Sequence, residues 1–273
     1  MSNCHAEASA VFANGIWKSG NHLLIKLCDM LGYPLAGSGI AASSINGRFK
    51  FVRKLLRCSL LKSESVSIGL EQPIRVSKRW LKNQCVSVQG CTIGGHAAYS
   101  DDLLEILNRQ EVRTIQIIRD PRDIVLSYAK WISSREDEYW HQSLNPLSEE
   151  ERIVHLIKGF NCKGGNFDSL ATVLDRSFGW LHQPDVLVVR FENLVGTNGG
   201  GTNEAQFDEL VRVVNWLGTK DANIKWVQKS LFGGTKTFRA GQIGAWRNSF
   251  TPEHLRVFQE VVGQTRIHEW GYE

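Results

Sequence analysis

Twice in this chain a short apolar run ends in a basic loop and passes directly into a helical pattern, and this repeated junction constrains the fold more than any other feature. The first run, Ala10-Val11-Phe12-Ala13, leads into Gly15-Ile16-Trp17-Lys18-Ser19-Gly20-Asn21-His22. The second, Thr114-Ile115-Gln116-Ile117-Ile118, leads into Arg119-Asp120-Pro121-Arg122-Asp123, with Ser127 further along. Short apolar runs followed by amphipathic periodicity predict buried strands that each feed a helix. At such a junction the first helical amides lack partners and the helix dipole is positive, so anions are held there. Gly20 lets the backbone approach a ligand closely. Asp120 and Pro121 also read as the cap and first turn of the second helix, which is compatible with a site beside it. Two such junctions on one sheet suggest a ligand phosphorylated at both ends.

The remaining pattern predicts an α/β fold: a single domain over 1–273 with a mostly parallel central sheet flanked by helices. The length of 273 residues and the 42% hydrophobic content suit one large core. Leu24, Leu27, Cys28 and Leu31 give the first helix its apolar stripe, and Gly32 is its expected stop. Ser100 is expected to cap a helix over Asp101–Asn108, and Ser148 one over Glu149–Lys158. Val86-Ser87-Val88 and Val186–Arg190 read as strands, and Phe167–Leu181 as a helix. A polar glycine-rich loop over Thr197–Thr202 precedes an amphipathic helix, Glu204–Leu217.

The paired junctions resemble those of the sulfotransferases that use 3′-phosphoadenosine-5′-phosphosulfate (PAPS). That family carries a strand, a Lys-Ser-Gly loop and a helix for the 5′-phosphosulfate, and an Arg plus a Ser for the 3′-phosphate. Two further segments support the likeness. Arg239-Ala240-Gly241, running on to Gly244-Ala245-Trp246-Arg247, is similar to the family's Arg-Lys-Gly loop and Gly-Asp-Trp-Lys continuation. Phe191-Glu192-Asn193-Leu194 is similar to its Tyr-Glu-Asp-Leu segment. The resemblance implies a P-loop-like sulfotransferase fold and a sulfuryl transfer to a hydroxyl or amine of a small-molecule acceptor. It implies PAPS as donor, 3′-phosphoadenosine 5′-phosphate (PAP) as product, and no metal requirement.

Residue by residue, the resemblance places Lys18, Ser19, Gly20, Asn21 and His22 around the 5′-phosphate, and Arg119, Ser127, Arg239, Ala240 and Gly241 around the 3′-phosphate. The family's base is a His at a strand end before the 3′-phosphate Arg; His96, in Thr92-Ile93-Gly94-Gly95-His96, stands at nearly that spacing from Arg119. Its two glycines are expected to let a substrate near the backbone. Lys18 is expected to stabilise charge on the leaving phosphate, so His96, Lys18 and Ser127 form the catalytic set. Leu23 replaces the family's adenine-stacking Trp, which shifts that role to Phe232 in Ser230-Leu231-Phe232. Ala240 and Gly94 replace family lysines. Thr251, Pro252 and Arg256 depart from the family's dimerisation segment, so a monomer or weak dimer is expected.

The acceptor is less constrained. Glu136, Asp137 and Glu138 beside Tyr139 and Trp140 offer ion pairing and cation–π contact to a cationic acceptor, with His22 as a further contact. A net charge of +4 without a long basic run disfavours nucleic acid, and no apolar stretch suggests a membrane span or leader, so a cytoplasmic location is expected. The six cysteines are scattered, without metal-ligand spacing, and read as reduced thiols. A nucleotide kinase-like phosphotransferase is the alternative enzyme, but Lys18 precedes its glycine instead of following it as in an ATP P-loop. A non-catalytic nucleotide-binding protein is the other alternative. It would have no need to keep Lys18, His96, Arg119 and Ser127 together.

Overall fold

The computed structural model describes residues 9–37, 39–41, 64–134, 136, 138, 140–162, 165–219, 221–234 and 241–273. Asp137, Tyr139, Arg239 and Ala240 therefore lie outside the described residues. Nine strands are present among those described: β1 (Val11–Gly15), β2 (Ile40–Ala41), β3 (Ser65–Ser67), β4 (Arg75–Ser77), β5 (Thr92–His96), β6 (Arg113–Ile118), β7 (Phe160–Cys162), β8 (Gly165–Phe167) and β9 (Val186–Arg190). Five of them form the main sheet in the order β2-β5-β1-β6-β9, and every pairing in it is parallel. β3 with β4 and β7 with β8 make small antiparallel pairs.

Parallel strands covered on both faces read as near-continuous apolar runs, and β1 and β6 are buried along almost their whole length. One face packs Val11, Ala13, Ile115 and Ile117 against the helix Asn21–Met30, through Leu24, Leu27 and Cys28, and against Asn203–Leu217, through Leu210, Val213 and Leu217. On the other face Phe12 meets Leu103, Ile106 and Leu107 of the helix Asp101–Arg109 together with Trp180. The expected caps form: Ser100 accepts from the Leu103 amide, and Ser148 makes a capping box with Glu151.

Two expectations fail locally. Val86-Ser87-Val88 is not a strand. Ser77 caps a helix over Lys78–Val86 that buries Leu81 and Cys85, one turn apart, so the Val-Ser-Val pattern is the last helical residue, its C-cap and the turn beyond. Phe167 ends β8 instead of starting a helix; the helix runs Leu170–Phe178, capped by Ser169, and continues as a 3-10 turn over Gly179–His182. No helix among the described residues is long and apolar enough to cross a membrane.

The sheet order explains the site. β1 is central, with β5 on one side and β6 on the other, and Asn14 pairs in register with Gly95 and Gln116. The carboxyl ends of these three neighbours therefore place Lys18, His96 and Arg119 around one crevice, where open parallel sheets bind ligands. Buried Asn14 braces the three strands from below. Its amide donates to the Gln116 Oε1 and the Ala97 carbonyl, and its Oδ1 accepts from the Ala97 amide.

Candidate active site

A cavity of about 270 Å³ opens at these strand ends, and Lys18, Gly20, Asn21, His22, His96, Arg119, Ser127, Phe232 and Gly241 all contribute to its wall. The helix Asn21–Met30 starts at Gly20, with φ 106 and no side-chain cap. A Cβ there would lie 2.5 Å from Phe191 Cδ2, so the position takes only glycine. Lys18 also has positive φ, at 63. Its carbonyl accepts from Arg119 Nη1 at 3.3 Å, and its ammonium lies 4.9 Å from the Trp131 ring centroid. Asn21 ties the helix start to β5 by donating to the Gly95 carbonyl at 2.7 Å.

His96 is partly buried at the end of β5, and its Nδ1 lies 2.7 Å from the Gly15 carbonyl. A carbonyl only accepts, so Nδ1 carries the proton and Nε2 keeps its lone pair. Burial outweighs the carbonyl bond, and with help from His22 and Lys18 it holds the His96 imidazole down at about 4. His96 is thus neutral at pH 7. His22 is exposed at the rim, and desolvation followed by the Lys18 cation lowers its imidazole as well. The glycines beside His96 serve packing instead of substrate access: a Cβ on Gly95 would strike the Phe12 ring at 2.3 Å, and one on Gly94 would press Ile25 at 3.0 Å.

Arg119 is 7% exposed and holds three segments together. Besides Lys18, it donates from Nη2 to the Gln242 carbonyl at 3.0 Å and lies over the Phe191 ring at 4.1 Å. Asp123, one turn on, approaches it at 3.9 Å. The Asp123 oxygens accept the Gly244 amide at 2.7 Å and the Trp246 amide at 3.0 Å, which fixes the loop after Gly241. Desolvation raises the Asp123 carboxyl against the opposing pull of Arg119 and these amides. Glu192 accepts from the Asp120 amide and from the Tyr272 hydroxyl, joining the C-terminus to the second junction. The glycine-rich segment after β9 supports the same loop, since the Gly199 carbonyl accepts the Ile243 amide and a Cβ on Gly199 would strike Val195 at 2.4 Å.

Asp123 and Glu192 stand within the Arg-Asp-Pro-Arg-Asp and Phe-Glu-Asn-Leu motifs, where sequence alone assigns them no role. The Arg119 to Asp123 spacing of one helical turn was the available signal. Lys130 and Trp131, which also line the cavity, carry no local signature, whereas Trp17 and Gln242 lie inside the first and last motifs without an assigned role. Ser230 is absent from the wall; its carbonyl accepts from Lys26. Of the acceptor candidates, His22 is in the wall, whereas Glu136 and Glu138 are outside it. Trp140 is 2% exposed and packs its ring on Tyr128 and Trp131, so it belongs to the core.

The donor set fits an anion with two charged ends. One end has an uncapped helix start with Lys18, and the other has Arg119 and Ser127. Ser19 Oγ and Arg119 Nε are buried without a hydrogen-bond partner among the described residues. A parallel α/β sheet with a basic strand-to-helix loop and a second basic strand end defines a P-loop-like α/β fold. More narrowly, residues 96–271 match the sulfotransferase domain family, and the chain belongs to it: it is a sulfotransferase. Its fold is similar to that of mouse sulfotransferase SULT7A1 complexed with PAP, at 16% identity and a TM-score of 0.56, covering 97% of this chain and 89% of that one. Retinol dehydratase in a complex with retinol and PAP is also similar, at 13% identity and a TM-score of 0.53, covering 97% of this chain and 83% of that one. No curated protein matches the sequence.

Proposed function

We propose that the chain, acting as one domain, transfers a sulfuryl group from PAPS to a hydroxyl or amine of a small-molecule acceptor. The observation that carries this reading is the meeting of His96, Lys18, Arg119 and Ser127 on one cavity at three adjacent strand ends. When bound, PAPS supplies an activated sulfuryl group and a phosphate leaving group. Lys18, with the open amides that follow Ser19, stabilises the charge that grows on the leaving oxygen. Arg119 and Ser127 hold the 3′-phosphate, joined by the loop at Gly241, and Phe232 stacks on the base. His96 Nε2 receives the acceptor proton. A bound dianion offsets the Lys18 cation and so raises the basicity of His96 when it is needed.

The wall supports a neutral or anionic acceptor better than a cationic one. Its acid among the described residues, Asp123, has both oxygens committed to backbone amides, while Lys18, Lys130 and Arg119 are cations. Transfer of radiolabelled sulfuryl from PAPS to a panel of phenols, alcohols and amines tests the function. Release of label to an acceptor is the expected result; failure of the protein to bind PAP would sink the reading.

A further inference from the structure

Lys26 lies one turn beyond His22 on the helix that starts at the anion loop, and sequence reasoning assigns it nothing. Its Nζ donates to the carbonyls of Ser230 at 2.7 Å, Leu231 at 3.0 Å and Gly233 at 2.9 Å. An ammonium has three donors and no acceptor, so these bonds use its full capacity. The carbonyls sit where the helix Ile224–Leu231 ends, at the negative pole of its dipole, and a cation is favoured there. The chain turns sharply at this point, with left-handed Gly233 (φ 77) and Gly234 (φ 68). A Cβ on Gly234 would lie 3.6 Å from the ammonium.

Phe232 stands between two of the three anchored carbonyls and forms part of the cavity wall. We propose that Lys26 is a positioning residue that fixes the Phe232 ring as the stacking surface for the nucleotide base. This rests on the reading that the site takes PAP. Because Lys26 belongs to the helix whose first turn faces the 5′-phosphate, it sets the spacing between phosphate and ring through a rigid element. Helical rise puts His22 and Lys26 only about 6 Å apart along the axis. Leu23, also in the wall, has no aromatic plane to offer, so the proposed stacking falls to Phe232. A ring on a turn of two left-handed glycines gains affinity when it is held in place before the ligand arrives.

Calorimetry with two probes tests the assignment: PAP, and ribose 3,5-bisphosphate, which carries both phosphates and no base. Lys26→Met keeps the apolar stem and removes the donors. It is expected to weaken PAP about tenfold, the scale of one stacking contact, and to leave the base-free probe unchanged. In the Phe232→Ala background the same substitution is expected to cost nothing more, since the two residues act through one contact. Equal losses for both probes, or additive losses in the double variant, would overturn the role of Lys26 while leaving the donor assignment intact. Absence of PAP binding by the unsubstituted protein would overturn the donor assignment itself, and this role with it. Lys26→Gln, which keeps two donors, serves if the Met variant does not fold, with a smaller loss, confined to PAP, expected.

Discussion

The two helix starts beside the cavity handle negative charge differently. Asn21–Met30 begins at Gly20 without a side-chain cap, so its first amides and dipole face outward. Pro121–Trp131 begins at Asp120, whose carboxylate accepts the Arg122 amide, the Arg122 side chain and the Trp246 indole N–H. A capped start has already placed a carboxylate at its positive pole and has little left for a ligand. On the proposed reading, the anion at the second junction therefore falls to side chains, Arg119 just before the cap and Ser127 within the helix. One strand-loop-helix pattern thus conceals an open helix start and a capped one, which the proposed function expects to respond differently to substitution.

The largest effects are expected at the open start. Lys18→Ala should lower turnover about a hundredfold to thousandfold and also weaken PAP, because its charge meets the phosphate before and during transfer. His96→Ala should lower turnover roughly a hundredfold to ten-thousandfold while PAP affinity holds, since its partner is the acceptor proton. Single-turnover kinetics beside calorimetry separates the two. Near-normal turnover by the His96 variant would move the base elsewhere.

At the capped end the effect should fall on affinity. Arg119→Ala should weaken PAP by about 1.5–3 kcal/mol, the scale of a hydrogen bond to a charged group, and weaken AMP, which has no 3′-phosphate, by less. Equal losses for both nucleotides would erase the distinction between the ends.

Smaller still are the stability effects of the braces. Asp123→Asn replaces one acceptor oxygen with a donor and leaves the Gly244 or Trp246 amide unpaired, at a cost of about 1–3 kcal/mol. Denaturant titration should show this together with weaker PAP binding, because the loop after Gly241 loosens. Asp120→Ala removes a cap and should cost about 0.5–2 kcal/mol.

The last effect is on pH dependence. His96 is held at about 4 in the folded protein against 6.5 as the ordinary value. As pH falls below 6.5 the unfolded chain takes a proton that the folded one refuses until about 4, so stability declines across that window. His22, shifted in the same direction, adds to the slope. The His96→Ala variant should show a shallower decline in melting temperature between these limits, and PAP should move the His96 titration upward when followed by NMR.

Much of the scaffold was legible because the signals are local. Ser100, Ser148 and Asp120 cap helices within three residues of themselves, and the apolar runs at Val11 and Thr114 are long enough to require burial. The helix over Lys78–Val86 was missed because its buried positions are few and its surface is basic, so a brief Val-Ser-Val alternation stood out more than the period behind it. Within the site, Lys18, His96, Arg119 and Ser127 were readable from motifs. Trp140 was misplaced, because a run of acids beside aromatics looks the same in sequence whether the ring faces a ligand or the core.

By itself the sequence determined the two basic strand-to-helix junctions, the parallel α/β class and the residues able to carry charge, since each follows from neighbours along the chain. Only the tertiary structure decided that Asp123 holds the Gly244 loop and that Lys26 reaches the turn at Phe232. Those outcomes join residues more than a hundred positions apart. Strand order and hydrogen-bond geometry decide such meetings, and no local pattern encodes them.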